Sequence, residues 1–182
     1  EPTVDAFSKG DAKLKVIYNA IVKVFKNGEL VRFSKRSGNI ITLREMVEEV
    51  GADVVRFFMM TRTPDAEMEF DFDKVVEQSK DNPVFYVQYA YARSSSVLRN
   101  AKEMFPDIDI SAEALVNVDM SALDDPDMLD LVKVMSTWPR MVESAAEAFE
   151  PHRIAFYLND LASAFHSLWS KGKTDATLRF LD

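Results

Sequence analysis

Apolar residues recur at steps of three and four along residues 83–105, which is the spacing of one face of an α-helix. Asn82-Pro83 indicates where this helix begins, because proline at the first helical position gives up an N–H that has no helical partner there. The spacing predicts a helix whose buried face carries Val87, Tyr91, Ser94, Leu98, Ala101 and Phe105.

Two further helices are predicted after a loop at residues 106–124. One opens at Asp125-Pro126, and Pro139 within it predicts a kink or a split, since proline cannot donate a helical hydrogen bond. The other opens at Pro151 and is expected to end at Gly172. Its apolar stripe comprises Ile154, Leu158, Leu161, Phe165 and Leu168, and we expect Trp138 and Trp169 to be core residues as well. Three amphipathic helices joined by short turns favour an antiparallel bundle.

Residues 20–33 have a different pattern, with two partly alternating β-branched runs on either side of Asn27-Gly28. Both residues of this pair tolerate positive φ, so the pattern predicts a tight β-hairpin. The predicted fold class is therefore mainly α, an α-helical bundle preceded by a small α+β segment with a β-hairpin.

A capping box predicts the next helix. Thr42 and Glu45 have the spacing at which each side chain can bond the other residue's backbone N–H, and Gly51 can end the helix that follows. A further helix is predicted to continue through Arg62, where Pro64 stops it.

Composition narrows the possible chemistry. The 182 residues include 30 acidic and 22 basic side chains, which give a formal net charge of −8 and argue against binding nucleic acid by bulk charge. The chain contains no cysteine, so no disulfide partner and no thiolate metal site are expected, and its two histidines predict no metal centre. No apolar run reaches the length of roughly 18 residues that a membrane span needs, and no membrane partner is expected.

Charge is unevenly distributed. Residues 9–44 contain nine basic and two acidic residues, so this stretch carries +7 and the remainder −15. A local positive surface in an acidic protein suits a site for polyanions. The alternative is a solvated hairpin face whose lysines prevent edge pairing, and the pattern alone favours this second interpretation.

The segment from Arg32 to Asn39 carries the clearest candidate chemistry. Lys35 and Arg36 follow Ser34, and Gly38 permits close approach of the backbone to a ligand. Lysine ammonium groups on such a loop suit the charge of a phosphoryl transition state. As composition alone the signal is weak, because such runs are common on protein surfaces.

This loop resembles the K-M-S-K-S signature of class I aminoacyl-tRNA synthetases, and its surroundings are similar to bacterial arginyl-tRNA synthetases. The resemblance covers roughly residues 28–182. The matching segments are Ser34–Asn39, Thr42–Arg44, Gly51–Phe58, Asp71–Asp73, Gln78-Ser79, Asn82–Ala90, Ala92-Arg93, Pro151–Ile154, Phe156–Leu158 and Leu168-Trp169.

The resemblance implies two domains and an activity. Residues 1–73 would be the end of a catalytic domain with stem-contact helices, and residues 74–182 an α-helical anticodon-binding domain of the DALR type, truncated at its C-terminus. The full-length protein would be a cytoplasmic arginine–tRNA ligase that uses ATP with Mg2+ to join arginine to tRNA(Arg).

The resemblance also assigns roles within the loop. Lys35 takes the place of the family lysine that steadies the triphosphate, and Ser34 that of the family serine, so both are candidate catalytic residues. Arg32 and Phe33 replace the first lysine and the methionine of the signature, and complete the candidate ATP-binding set. Arg36 is either a tRNA contact or part of an ordinary loop.

A second stripe on the helix after Pro83 suits an unstacked RNA base, because aromatic faces stack on bases and amide groups read their edges. The candidate tRNA-binding residues on it are Tyr86, Tyr89, Arg93 and Asn100, with Ser96 between them. The alternative is that Tyr86 and Tyr89 are core aromatics with locally satisfied hydroxyls.

Neither histidine lies in an H-I-G-H context, so we expect this chain to be a piece of a longer enzyme, unable to aminoacylate alone and without a tightly bound cofactor. We expect His152 to be neutral or exposed, and His166 to be a packed surface residue. Two alternatives remain open, namely a tRNA-binding module without a catalytic role and a non-enzymatic interaction protein.

Overall fold

The computed structural model describes residues 4, 7–9, 11–12, 14–31, 41–79, 81–121 and 123–181. Its first region contains a three-stranded sheet in the order β2-β1-β3, with two helices between the second and third strands in sequence. The elements of this region are β1 (Val22–Lys26), β2 (Glu29–Leu30), α1 (Leu43–Val50), α2 (Ala52–Met59), β3 (Met68–Asp71) and α3 (Phe72–Val75).

The predicted hairpin is confirmed. β1 and β2 pair antiparallel with Lys26 opposite Glu29, and the turn between them consists of Asn27 at φ 53° and Gly28 at φ 75°. Two successive positive φ values are the requirement of a tight turn that follows the right-handed twist of its strands. Glycine, asparagine and aspartate are the residues that meet this requirement at low cost, which explains why the Asn-Gly pair is a reliable signal.

The capping box is confirmed as well. The Thr42 backbone N–H donates to Glu45 Oε2 at 2.6 Å, and the Glu45 N–H donates to Thr42 Oγ1 at 3.2 Å. Gly51 ends α1 at φ 90°. The helix after it ends at Met59 rather than at Arg62. The Phe58 carbonyl, which the Arg62 N–H would bond in a longer helix, accepts from the Thr61 N–H and hydroxyl instead.

Strand β3 was not predicted. It pairs parallel with β1, with Val22 opposite Met68 and Val24 opposite Phe70. Its four residues alternate towards the interior, but a run this short carries little periodic signal. Phe70 is fully buried and makes edge-to-face contacts with Phe58 and Phe72. The buried cluster of this region comprises Val24, Met46, Val55, Met68, Phe70, Phe72 and Val75.

The second region is helical, as predicted. Its elements are α4 (Pro83–Met104), α5 (Ala112–Leu115), α6 (Pro126–Ser136), α7 (Trp138–Ala148), α8 (His152–Lys171) and a 3-10 turn at Ala176–Leu178. Helix α8 is central, because α4, α6 and α7 all pack against it. The predicted interruption near Pro139 is confirmed as a split into α6 and α7 at Thr137. In the described ranges, every helix lacks either the length or the apolar character needed to cross a bilayer.

The predicted buried face of α4 is wrong. Tyr91 and Leu98 are 74% and 55% exposed, and Val84 is the buried residue of this helix. Helix α4 carries two stripes of large side chains. Helix α8 packs against the stripe that was not predicted to be buried. Spacing along one helix identifies both stripes but does not say which one a neighbour covers. Trp138, expected in the core, is likewise partly exposed, with its ring 5.1 Å from that of Tyr157.

The uncovered stripe of α4 forms one wall of an apolar groove of about 550 Å³. Helix α6 forms the opposite wall with Leu131 and Met135, and α8 forms the floor with Leu161 and Phe165. The apolar stripe predicted on α8 is confirmed, since its members are buried or half-buried.

Gly172 follows the last residue of α8, as predicted. A glycine is needed at this position for close packing and not for a left-handed backbone conformation. Its φ is −60°, a value that every residue adopts. A Cβ atom at this position would lie 2.9 Å from the backbone oxygen of Leu178. The glycine therefore lets the C-terminal segment pack closely against the end of α8, where Arg179 Nε donates to the Gly172 carbonyl at 3.1 Å.

Candidate nucleic-acid interface

Asn82 fixes the start of the helix that carries the candidate tRNA contacts. Its Oδ1 accepts from the backbone N–H groups of Val84 and Phe85, and its Nδ2 donates to the carbonyl groups of Val75 and Glu77. The side chain is buried, and every one of these bonds is local. Asn82 thus caps α4 and ties it to α3, which sets the direction of α4 relative to the sheet.

An aromatic cluster lies where α4 meets α8. The rings of Tyr86 and Tyr89 lie 4.6 Å and 5.6 Å from the imidazole ring of His166. Phe85 stacks on Tyr89 with an interplanar angle of 10°. Tyr89 remains 43% exposed, so its ring is accessible from solvent although it packs against its neighbours. The structure therefore brings Tyr86 and Tyr89 together and leaves one of them open to a ligand.

Arg93 lies within this cluster. Its guanidinium carbon lies 4.0 Å from the ring centre of Tyr89 and 4.9 Å from that of Trp169. Nη2 donates to the Tyr89 hydroxyl at 2.6 Å, and Nη1 lies 3.3 Å from His166 Nδ1. A guanidinium has five N–H donors, so these contacts leave donors available. The ion pairs found among the described residues do not include Arg93.

Asn100 lies two turns further along α4. It is exposed and lines a groove of about 490 Å³ between α4 and the C-terminal segment. Trp169 lines the same groove and also contacts Arg93, so it connects Asn100 with the aromatic cluster. The Phe180 ring packs against that of Trp169 at a distance of 5.8 Å. The four predicted tRNA contacts on α4 therefore share one continuous face of the molecule.

Three members of this face were not predicted as site residues. His166, Trp169 and Phe180 come from α8 and the segment after it. His166 is half-buried, which confirms the expected packed surface position, and Trp169 is half-buried rather than fully enclosed in a core. Positions 166 and 169 have helical spacing, but spacing alone does not reveal that they meet the α4 stripe.

The five candidate residues of the signature-like loop lie outside the described residues, namely Arg32, Phe33, Ser34, Lys35 and Arg36. Part of the basic stretch around them is described. Lys23 pairs with Glu67 at 2.7 Å, and Lys26 pairs with Glu49 at 2.7 Å. The hydrogen bond from Lys23 lowers the pKa of Glu67 and raises the pKa of Lys23 itself. These two cations thus form ion pairs at the surface of the hairpin. For Lys23 and Lys26, this supports the interpretation as a solvated hairpin face rather than a site for polyanions.

The other histidine is not exposed. His152 lies in the first turn of α8 with only 7% of its surface accessible, and its ring contacts Phe156 edge-on at 5.5 Å. Its Nδ1 has no hydrogen-bond partner among the residues that the structure describes. The described part of the chain contains no group of three or more histidine, aspartate or glutamate residues arranged to hold a metal ion.

Comparison with known proteins decides the family. Residues 87–176 match the DALR anticodon binding domain. The chain is 54% identical to the arginine–tRNA ligase of Rhodospirillum rubrum over 98% of its length, and 58% identical to that of Parvibaculum lavamentivorans over 94%. The chain belongs to the arginyl-tRNA synthetase family. It corresponds to the C-terminal part of these enzymes and spans about 30% of the length of the relatives it matches.

Solved structures agree with this arginyl-tRNA synthetase fold. A putative arginyl-tRNA synthetase from Campylobacter jejuni superposes with a TM-score of 0.67 at 24% identity, over 89% of this chain and 35% of that one. The Thermus thermophilus arginyl-tRNA synthetase superposes with a TM-score of 0.57 at 23% identity, over 79% of this chain and 26% of that one. At these identities the likeness concerns the fold.

Proposed function

We propose that this chain is the tRNA-binding region, together with the ATP-contacting loop, of an arginine–tRNA ligase. The full-length enzyme would join arginine to tRNA(Arg) with ATP and Mg2+. The support is similarity along nearly the whole chain to proteins that bear this name, together with the anticodon-binding domain at residues 87–176.

The observation that carries the tRNA-binding proposal is Arg93. Its charge lies between two aromatic rings, next to an exposed tyrosine and without a carboxylate partner among the described ion pairs. Such an arginine suits a phosphate group or the face of a base. An acidic protein that binds RNA needs local cations of this kind, because its overall charge repels the phosphate backbone.

Each candidate then has a role that its chemistry supports. The exposed part of the Tyr89 ring, which Phe85 and Arg93 leave uncovered, contacts an unpaired base. Tyr86 supports the cluster through its contact with His166. Arg93 binds a phosphate or extends the stack, and the Asn100 amide reads a base edge in the groove beside Trp169.

The loop roles rest on the resemblance of its residues to the signature of class I enzymes. Lys35 would stabilise the triphosphate as the amino acid attacks, with Ser34 as a hydrogen-bonding partner. Arg32 and Phe33 would complete the ATP contacts, and Arg36 would contact the tRNA.

Binding measurements with tRNA(Arg) test the helical face. Tyr89→Ala should weaken binding by about 5- to 150-fold, the range expected when an aromatic side chain in contact with a base is removed. Tyr91→Ala is the matched control, because Tyr91 lies on the same helix and faces the opposite side. Equal losses in the two variants, or none in Tyr89→Ala, would contradict the proposed face.

Activity measurements in the full-length enzyme test the loop. Lys35→Ala should abolish arginine-dependent ATP–pyrophosphate exchange and leave tRNA affinity unchanged. If exchange persists, the chain is a tRNA-binding module whose loop has no catalytic role. The 182-residue chain alone should show no exchange, since it spans about 30% of the relatives' length.

A further inference from the structure

His166 connects two points of α4. Its Nε2 lies 3.1 Å from the backbone carbonyl of Tyr86, and its Nδ1 lies 3.3 Å from Arg93 Nη1. A carbonyl oxygen accepts and a guanidinium donates, so both bonds form together only when the imidazole is neutral and carries its hydrogen on Nε2. His166 therefore has one hydrogen-bonding arrangement that suits both neighbours.

The bond to Nδ1 restricts an otherwise flexible side chain. Arginine has a long side chain with several rotatable bonds, and Arg93 has no carboxylate partner among the described ion pairs to hold it. The Tyr89 hydroxyl restrains Nη2 from the same helix, whereas His166 restrains Nη1 from α8. Two acceptors on different helices define both the position and the plane of the guanidinium.

We propose that His166 is a positioning residue for RNA binding, which holds the Arg93 guanidinium between Tyr89 and Trp169 with its free donors ready for a phosphate group. This inference rests on the proposed function. His166 does not need to touch the RNA itself, because it acts through Arg93. Pre-ordering of the cation reduces the conformational entropy that is lost when the RNA binds.

Two substitutions at the same position separate positioning from packing. His166→Phe keeps an aromatic ring in contact with Tyr86 and removes both nitrogen atoms. His166→Gln keeps an acceptor for Arg93 and a donor for the Tyr86 carbonyl. The expected result is about a tenfold loss of tRNA(Arg) affinity in the phenylalanine variant and recovery of most of it in the glutamine variant.

The salt dependence of binding supplies a readout that a packing defect would not change. Loss of one phosphate contact reduces the slope of log Kobs against log salt concentration by about 0.7 to 0.9. His166→Phe should show this reduction, and His166→Gln should keep the slope of the unaltered chain. An unchanged slope in the phenylalanine variant would overturn the inference.

A double-mutant cycle with Arg93→Met distinguishes this inference from the proposed function. If Arg93→Met leaves tRNA affinity unchanged, the proposed role of the cluster fails. If Arg93→Met weakens binding but His166→Phe does not, only the positioning role fails. The inference predicts that His166→Phe adds nothing once Arg93 is absent. Circular dichroism checks folding, and His166→Met replaces the phenylalanine variant in every comparison should that variant not fold.

Discussion

The sheet-containing region at residues 22–75 and the helical region from Pro83 onward bury their apolar residues in different ways. The described part of the first encloses seven of them in one cluster around Phe70. In the second, most buried residues lie on α8, and the 22-residue helix α4 buries only Val84 among its described side chains. The apolar side chains of the sheet region pack against one another. Helix α4 instead has two faces, one that lies in the aromatic cluster and one that lines an open groove. Dense burial therefore characterises the sheet region, whereas α4 keeps surface that is available for contact.

The largest effect expected from this contrast is at Phe70. Phe70→Ala should lower the free energy of unfolding by about 3–5 kcal/mol, because it leaves a cavity between Phe58 and Phe72. Tyr91→Ala on α4 should change it by no more than about 0.5 kcal/mol, since that side chain is mostly exposed. Urea unfolding measures both. Similar losses in the two variants would remove the contrast.

A smaller effect is expected at the end of α8. In Gly172→Ala the added methyl group meets the Leu178 backbone oxygen at 2.9 Å, and backbone cannot move aside as easily as a flexible side chain. We expect a loss of about 1–3 kcal/mol in thermal or urea unfolding. Ser170→Ala, an exposed position in the last turn, is the control and should be close to neutral. A neutral Gly172→Ala would mean that the C-terminal segment is not packed closely there.

The smallest effect concerns the capping box of α1. Thr42→Ala should cost about 1 kcal/mol in the free energy of unfolding, and Thr42→Ser should retain most of the stability because it keeps the accepting oxygen. The bond from the Thr42 backbone N–H lowers the pKa of Glu45 below its usual 4.5. A carboxyl group whose pKa is lower in the folded than in the unfolded state stabilises the protein at pH values above the unfolded-state pKa. This contribution is lost as the pH falls through the folded-state pKa.

The pH dependence of unfolding measures this last contribution. Glu45→Gln should flatten the decline of stability below pH 4.5, whereas Thr42→Ser, which keeps the bonds to the Glu45 carboxylate, should leave the decline as it is. An identical pH profile in both variants would show that the capping carboxylate does not contribute.

The parts of the fold that sequence predicts well are those whose hydrogen bonds close within a few residues. The Asn27-Gly28 turn, the Thr42–Glu45 box and the helix start at Asn82-Pro83 are of this kind, and all three are confirmed. Strand β3 was not predicted, because its partner in the sheet, β1, lies more than forty residues earlier and its own pattern covers four residues.

The candidate site divides in the same way. Tyr86, Tyr89, Arg93 and Asn100 were found from their spacing on one helix, and the structure places them on one face. His166 and Trp169 were missed as site residues, since the contact of His166 with Arg93 spans 73 residues of sequence. The roles of Ser34 and Lys35 remain predictions from sequence.

The sequence by itself determined the hairpin turn and the starts of α1, α4 and α6, because caps, prolines and positive-φ residues act on backbone groups beside them. It also determined which residue types line each stripe of α4. Only the tertiary structure decided which stripe α8 covers and which remains open, because that choice depends on how two helices far apart in sequence fit against each other. The same packing brings a histidine acceptor to Arg93 and so turns a row of side chains on one helix into a structured surface.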